Sequence, residues 1–253
     1  MSVSRSELLD TLNTWLRPQD YQDYCPNGLQ VEGQATIGHI VTGVTASQAL
    51  IDAAVERGAD TLLVHHGYFW KGESAVITGM KYQRIKRLLA HDMNLIAYHL
   101  PLDGHPELGN NIGLARALSL KDIQPVTQIM PQGIVYQGLA GNVELDEFAA
   151  LLSAAVGRNL VAKVSGGGHQ VQRVALCTGG GQSFIDAACD AGADTFISGE
   201  ISEQTVHVAR ERGIHYLAAG HHATERFGAR ALGEALAQTL NINVEFIDID
   251  SPA

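Results

Sequence analysis

Thr61-Leu62-Leu63-Val64-His65-His66-Gly67 reads as a short apolar strand that runs directly into two adjacent histidines and a glycine. Paired imidazoles contribute little to a buried core. At the carboxyl edge of an α/β sheet, where such folds keep their ligand sites, they present nitrogen donors. Just upstream, His39-Ile40-Val41-Thr42-Gly43-Val44 is a second strand. Between the two, Gln48 to Arg57 has helical spacing with Leu50, Ile51, Ala54 and Val55 on one side, and Gly58 stands where a helix C′ residue belongs. Strand, helix and strand make a βαβ unit, so the two strands run parallel.

Outward from this unit, Lys71 to Gly79 is a polar loop, Lys81 to Ala90 is helical and Asn94 to His99 is a third strand. The chain then turns through Leu100 to Pro106 into a helix near Asn111 to Leu118. Toward the N-terminus, Leu8, Leu9, Leu12, Trp15 and Leu16 form an amphipathic helix with Ser6 as its expected cap and Pro18 beyond its end. The turn-rich segment Tyr24 to Gly33 leads from it into a short strand. Downstream, Lys121 to Gln132 reads as a connection, Gly133 to Leu139 as a strand weakened by Gly138, and Leu145 to Val156 as an amphipathic helix. Ser165 to His169 reads as a hinge or hairpin turn, and Val171 to Leu176 as a strand.

An internal repeat organises these elements. Ile51-Asp52-Ala53-Ala54 with Gly58-Ala59-Asp60-Thr61 recurs in the same register as Ile185-Asp186-Ala187-Ala188 with Gly192-Ala193-Asp194-Thr195. Gln48 and Gln182 keep that register, and Ala115-Arg116-Ala117-Leu118 returns as Ala229-Arg230-Ala231-Leu232. The expected fold class is therefore α/β: two similar α/β domains related by internal duplication, with mixed sheets flanked by helices. Residues 1–125 are expected to form the first domain, which carries His65, His66 and Asp103. Residues 126–253 are expected to form the second, with the part from about 220 onward returning to the first. The last strand, Val244 to Ile249, could add to either sheet. In the repeat alignment His65-His66 meets Gly199-Glu200, so the histidine pair exists in one half only.

With 253 residues, 45% apolar and 17% charged, the chain has the composition of a globular protein with ample core. No apolar run reaches the roughly 18 residues needed to span a bilayer, and the first residues do not form a secretory signal. Three widely spaced cysteines point to a reducing cytoplasm rather than a disulfide framework. A net charge of −10 argues against nucleic acid as a partner, because a phosphate backbone requires a basic face.

Four of the eleven histidines sit in two adjacent pairs. At a strand end both His65 and His66 can turn to one cavity, and two ions about 3.5–4 Å apart would take one ring each. In Gly220-His221-His222-Ala223-Thr224-Glu225, His221 and Glu225 lie four apart and His222 and Glu225 three apart. On a helix either pair shares a face at about 5–6 Å, so spacing leaves the two histidines equivalent. Asp103 follows the third strand and His99 closes it, on the same sheet edge as His65. A weaker signal is Thr178-Gly179-Gly180-Gly181-Gln182-Ser183, whose main-chain amides could hold phosphate, although Phe184 breaks the dinucleotide fingerprint.

Pro26-Asn27-Gly28-Leu29-Gln30-Val31-Glu32-Gly33, His65-His66-Gly67, His99-Leu100-Pro101-Leu102-Asp103 and Gly220 to Glu225 together resemble the GTP cyclohydrolase type 2 homologues, also called the Nif-three-like family. The resemblance covers nearly the whole chain. It implies two similar α/β domains, a toroidal homohexamer and a dinuclear metal centre in each subunit. By that resemblance His65 and Asp103 bind one ion, His66 and His221 bind the other, and Glu225 bridges them.

The function this implies is a metal-dependent hydrolase of a nucleotide-like or heterocyclic small molecule, with two divalent ions per subunit. Ligands of nitrogen and oxygen type suit zinc, manganese, iron or nickel. His99 and His222 are the candidate proton-transfer residues, histidine being the side chain that titrates near neutrality. The competing reading is a non-catalytic metal carrier, insertion factor or ring-shaped scaffold, which needs the same ligands.

Overall fold

The computed structural model describes residues 1–168 and 170–253. His169, the last residue of the expected Ser165–His169 turn, lies outside the described residues. In chain order the elements are β1 (Val3–Ser4), α1 (Arg5–Leu16), β2 (Gly28–Val31), β3 (Thr36–Ile37), β4 (His39–Thr45), α2 (Gln48–Glu56), β5 (Thr61–His66), α3 (Gly79–Ala90), β6 (Asn94–Ala97), α4 (Leu100–Gly104) and α5 (Asn110–Ala117). They continue with β7 (Lys121–Pro125), β8 (Tyr136–Val143), α6 (Leu145–Val156), β9 (Ala162–Val164), β10 (Val171–Cys177), α7 (Ile185–Asp190) and β11 (Thr195–Ser198). The last are α8 (Glu203–Arg212), β12 (His215–Ala218), α9 (His221–Thr224), α10 (Arg226–Leu240) and β13 (Asn243–Phe246).

The chain forms two compact units, Met1–Leu102 with Gly228–Asp250, and Asp103–Phe227 with Ser251–Ala253. In the first, a five-stranded sheet has the order β13-β4-β5-β6-β2, parallel except for β2 at its edge. Val41, Leu62, Val64, Leu95 and Ala97 pack with Leu50, Ile51 and Ala54 of α2 and Ile85 and Leu88 of α3. The alternate residues Ile40, Leu63 and Ile96 are buried on the opposite face, as expected of a parallel sheet covered on both sides. β13 pairs in parallel with β4, Asn243 opposite His39, which settles the sheet that the last strand joins.

In the second unit a six-stranded mixed sheet has the order β7-β8-β10-β11-β12-β9, with β10, β11 and β12 parallel. Val174, Leu176, Ile197 and Leu217 pack with Ile112 and Leu114 of α5 and Phe148, Leu152 and Val156 of α6. This explains where the units divide. The sequence reading puts α5 in the first half, with a boundary at residue 125, but its apolar face belongs to the second core and the division falls at Leu102/Asp103.

The repeat is structural. α2 ends with Gly58 at φ 67, and its main chain closes with Gly58 N–H to Val55 O and Ala59 N–H to Ala54 O. α7 ends in the same way, with Gly192 at φ 83, Gly192 N–H to Cys189 O and Ala193 N–H to Ala188 O. Both glycines supply the left-handed residue that such a helix end requires. Asp60 accepts the amides of Gly38 and His39 at 2.7 and 3.0 Å, and its twin Asp194 accepts that of Arg173 at 2.7 Å. Each aspartate thus ties the start of its own parallel strand to the preceding one.

Three local expectations change. Ser4 rather than Ser6 caps α1, its Oγ accepting the Glu7 amide at 3.1 Å, which places Ser6 inside the first turn. The expected connection from Lys121 to Gln132 contains β7, an edge strand whose mostly exposed polar residues give no hydrophobic alternation to read. β8 begins at Tyr136 and runs through both Gly138 and Gly141, and a Cβ on Gly138 would press to 3.0 Å on the Lys121 carbonyl, so the glycine suits this close strand approach.

Candidate metal centre

In the first unit the candidate ligands stand at the carboxyl ends of β5 and β6. His65 is fully buried and His66 partly so. Their ring centroids are 4.5 Å apart, and the His99 ring lies 5.1 Å from His65 and 5.6 Å from His66. One ring nitrogen of each lies within 4.8 Å of the others. Gly67 makes the turn possible, since a Cβ there would overlap the Gln30 carboxamide and come within 2.7 Å of Ala97 Cβ.

Each of these rings has its Nδ1 engaged within its own unit. His65 Nδ1 donates to the Tyr98 carbonyl at 3.0 Å, and His66 Nδ1 lies 3.1 Å from the Thr45 hydroxyl. His99 Nδ1 donates to Asp23 Oδ1 at 2.7 Å. An imidazole whose Nδ1–H is given to an acceptor carries its lone pair on Nε2, which is how metal-binding histidines are oriented.

In the second unit the candidates are Asp103 of α4 and His221 and Glu225, at the start and the end cap of α9. Glu225 is buried and its Oε2 lies 3.2 Å from His221 Nε2. A carboxylate oxygen of Asp103 is within 4.8 Å of one of Glu225. Asp103 is buried and accepts from Asn110 Nδ2 at 2.8 Å. His221 Nδ1 donates to Glu200 Oε1 at 2.7 Å, and Gln182 Nε2 donates to Glu200 Oε2 at 3.2 Å. Burial opposes protonation of the His221 ring, but the carboxylates of Glu225 and Glu200 outweigh it and push the ring up to about 9. His222 is half-buried on the same short helix.

The glycine run after β10 serves this half-site by being small. A Cβ on Gly179, at φ 60, would overlap the Glu225 carboxylate and come within 3.2 Å of His221 Nε2. A Cβ on Gly199 would press to 2.7 Å on both the Gly179 carbonyl and His221 Cα. These contacts favour the packing role for the loop over phosphate binding.

Several supporting residues escape the sequence reading. Asp23, Thr45 and Asn110 carry no motif of their own. Glu200 did leave a signal, as the repeat twin of His66. Cys25 and Cys177 are buried and Cys189 partly so, and all three are free thiols. The donor set is thus imidazole and carboxylate, and it fits divalent ions of the borderline class. Among the described residues no helix is long and apolar enough to cross a membrane.

The chain is similar to known proteins over nearly its whole length. Residues 3–252 match the family model Duf34/NIF3 (NGG1p interacting factor 3). The chain is 55% identical over 247 residues to the "GTP cyclohydrolase 1 type 2 homolog" of Pasteurella multocida strain Pm70, covering 98% of each chain. Among solved structures it resembles protein ybgI, described as of unknown function, with TM-score 0.94 and 53% identity over 99% of this chain and 100% of that one. It also resembles TTHA1606 from Thermus thermophilus, with TM-score 0.91 and 35% identity over 99% of this chain and 100% of that one.

Proposed function

The chain belongs to the Duf34/NIF3 family, and from that premise we propose that it is a metal-dependent hydrolase acting on a nucleotide-like or heterocyclic small molecule. In this reading His65 and Asp103 hold one divalent ion, His66 and His221 hold a second, and Glu225 bridges the two. When bound, such a pair of ions supplies Lewis acidity and activates water near neutral pH. The observation that carries the reading is the fixed orientation of the imidazoles: His65 and His221 each give Nδ1–H to an acceptor, so both present Nε2. The Glu225 carboxylate, seated where Gly179 makes room for it, is the natural bridging group.

The chain's own residues divide the remaining work. Tyr98, Thr45 and Glu200 hold the rings, and Asn110 holds Asp103. His99 and His222 are the candidates to move protons. The name carried by the Pasteurella multocida relative supports a ring-opening hydrolysis as the reaction class to test first. The same resemblance supports a ring-shaped homohexamer. Exposed Ile77, Met80, Tyr82 and Leu89, on and beside α3, offer apolar surface for self-association. The free cysteines suit a reducing cytoplasm.

The test is a panel of purine nucleotides and related heterocycles, given to protein of defined metal content. Turnover that Glu225→Ala abolishes, with the oligomer intact by light scattering, is the expected result. Tight, reversible binding of two ions with no turnover on any member would replace the hydrolase with a metal carrier or scaffold.

A further inference from the structure

We infer that Trp70, with Tyr24 beside it, is the stacking platform for a planar heteroaromatic ring held at the flank of His66 and His99. The inference rests on the small-molecule reading above and deepens it by naming the side chains that recognise the ring.

Geometry is the first ground. The Trp70 indole stands 4.9 Å from the His99 ring, at 86° to it, and 5.8 Å from the His66 ring. Tyr24 stands 6.3 Å from His99, at 60°. Trp70 and Tyr24 thus meet the same imidazole from two different loops, and all four rings belong to the first unit. The one polar atom of the indole is already used, Nε1 donating to the Gly67 carbonyl at 3.2 Å. What Trp70 offers a ligand is therefore its π surface, and a ring stacked there is held beside His66 and His99.

The two loops are tied to each other, which is the second ground. The Lys71 amide donates to the Tyr24 carbonyl at 2.6 Å. Gln30 Oε1 accepts the Tyr68 amide at 2.7 Å, and its Nε2 donates to the Tyr68 and Pro26 carbonyls at 3.1 and 2.8 Å. Glu73 Oε2 accepts the Trp70 amide at 3.1 Å and lies 3.3 Å from Lys81 Nζ. A platform fixed before its ligand arrives loses little freedom on binding. Gln30 of the turn-rich segment thereby gains a role that the motif reading leaves unassigned.

Two features have no account in packing alone. The Tyr24 side chain is 60% exposed, so it contributes little to the core. Phe69, next to Trp70, sits at φ 65, a left-handed conformation that bulky residues rarely adopt. Its ring is partly exposed, with Lys81 Nζ 4.9 Å from the centroid. The fold holds strain in the residue that delivers Trp70, and strain of this kind gathers at ligand sites. Stacking tolerates any base, because every base has a π face, so planarity defines the ligand class.

The experiment dialyses the full chain against guanosine and adenosine, with ribose as the non-planar control. Both nucleosides are expected to bind, and ribose is not. Trp15 and Trp70 are the two tryptophans, so in Trp15→Phe the fluorescence reports Trp70 alone, and bound nucleoside should quench it. Trp70→Leu and Tyr24→Leu should each weaken nucleoside binding roughly 5- to 100-fold, and Trp70→Phe should retain most of it. No nucleoside binding, binding without quenching, or wild-type affinity in Trp70→Leu overturns the inference. If circular dichroism shows Trp70→Leu unfolded, the exposed Tyr24→Leu decides, and wild-type affinity there overturns it. Chromatography of the dialysates separates this inference from the hydrolase reading. Quenching without product sustains the platform and counts against the hydrolase. Product formed while Trp70→Leu keeps wild-type affinity sustains the hydrolase and overturns the platform.

Discussion

Glu200 Oε1 lies 2.7 Å from His221 Nδ1, and Glu200 occupies the position that the internal repeat gives to His66 in the other half. One half of the duplication thus offers a ring at this place, and the other offers the carboxylate that orients a ring. The twins have divided ring and supporting carboxylate between them.

Removing that carboxylate charge should weaken the metal site without unfolding it. Glu200→Gln retains a hydrogen-bond acceptor but no charge, and support of this kind contributes about 10- to 100-fold to metal affinity. Competition against a chromophoric chelator measures it, and an unchanged affinity would show that His221 needs no anionic partner.

At Gly179 two costs coincide. Alanine would force a side chain onto the Glu225 carboxylate and into a backbone at φ 60. Gly179→Ala should therefore lower the melting temperature, by roughly 1–3 kcal/mol in stability, and reduce metal stoichiometry as well. Retention of both by the variant would contradict the packing given to this loop.

The raised pKa of His221 sets the direction of the pH dependence. Without metal, its folded-state value of about 9 lies above the ordinary 6.5, because the Glu225 and Glu200 carboxylates overcome burial. The charged ring therefore contributes stability to the metal-free fold that is fully present below pH 6.5 and is lost as pH rises through about 9. A metal must displace the proton at Nε2, so apparent affinity should fall as pH drops below about 9, by up to tenfold per unit from this ring. Calorimetry in buffers of different ionisation enthalpy should detect close to one proton released from His221 at pH 7. Binding that is independent of pH between 6 and 8 would rule His221 out as a ligand.

Asp60 and Asp194 belong to the repeat but not to the centre. Asp60→Ala would strip the acceptor from the amides of Gly38 and His39 and cost about 1–3 kcal/mol. Urea unfolding should show that loss while metal stoichiometry stays at the wild-type value. A loss of metal without a loss of stability would reverse the assignment.

Much of the fold is readable because it is local. Helix spacing over Leu145 to Val156, the left-handed glycines Gly58 and Gly192, and the Asp-Thr pair that opens β5 and β11 each act over a few residues. Short-range chemistry leaves short-range patterns, and duplication wrote these patterns twice. The edge strand β7 is missed for the same reason, since exposed Lys121, Asp122 and Gln124 carry no alternation.

By itself the sequence determined the α/β class, the duplication and the residue types at the strand ends that make a metal centre thinkable. Tertiary structure decided which atoms those residues present. Asp23 reaches His99 across 76 residues, Tyr98 reaches His65 across 33 and Glu200 reaches His221 across 21. No periodicity links such pairs. Their hydrogen bonds exist only once the fold of each unit brings its own distant segments together, and they select the donor nitrogen of each of these three rings.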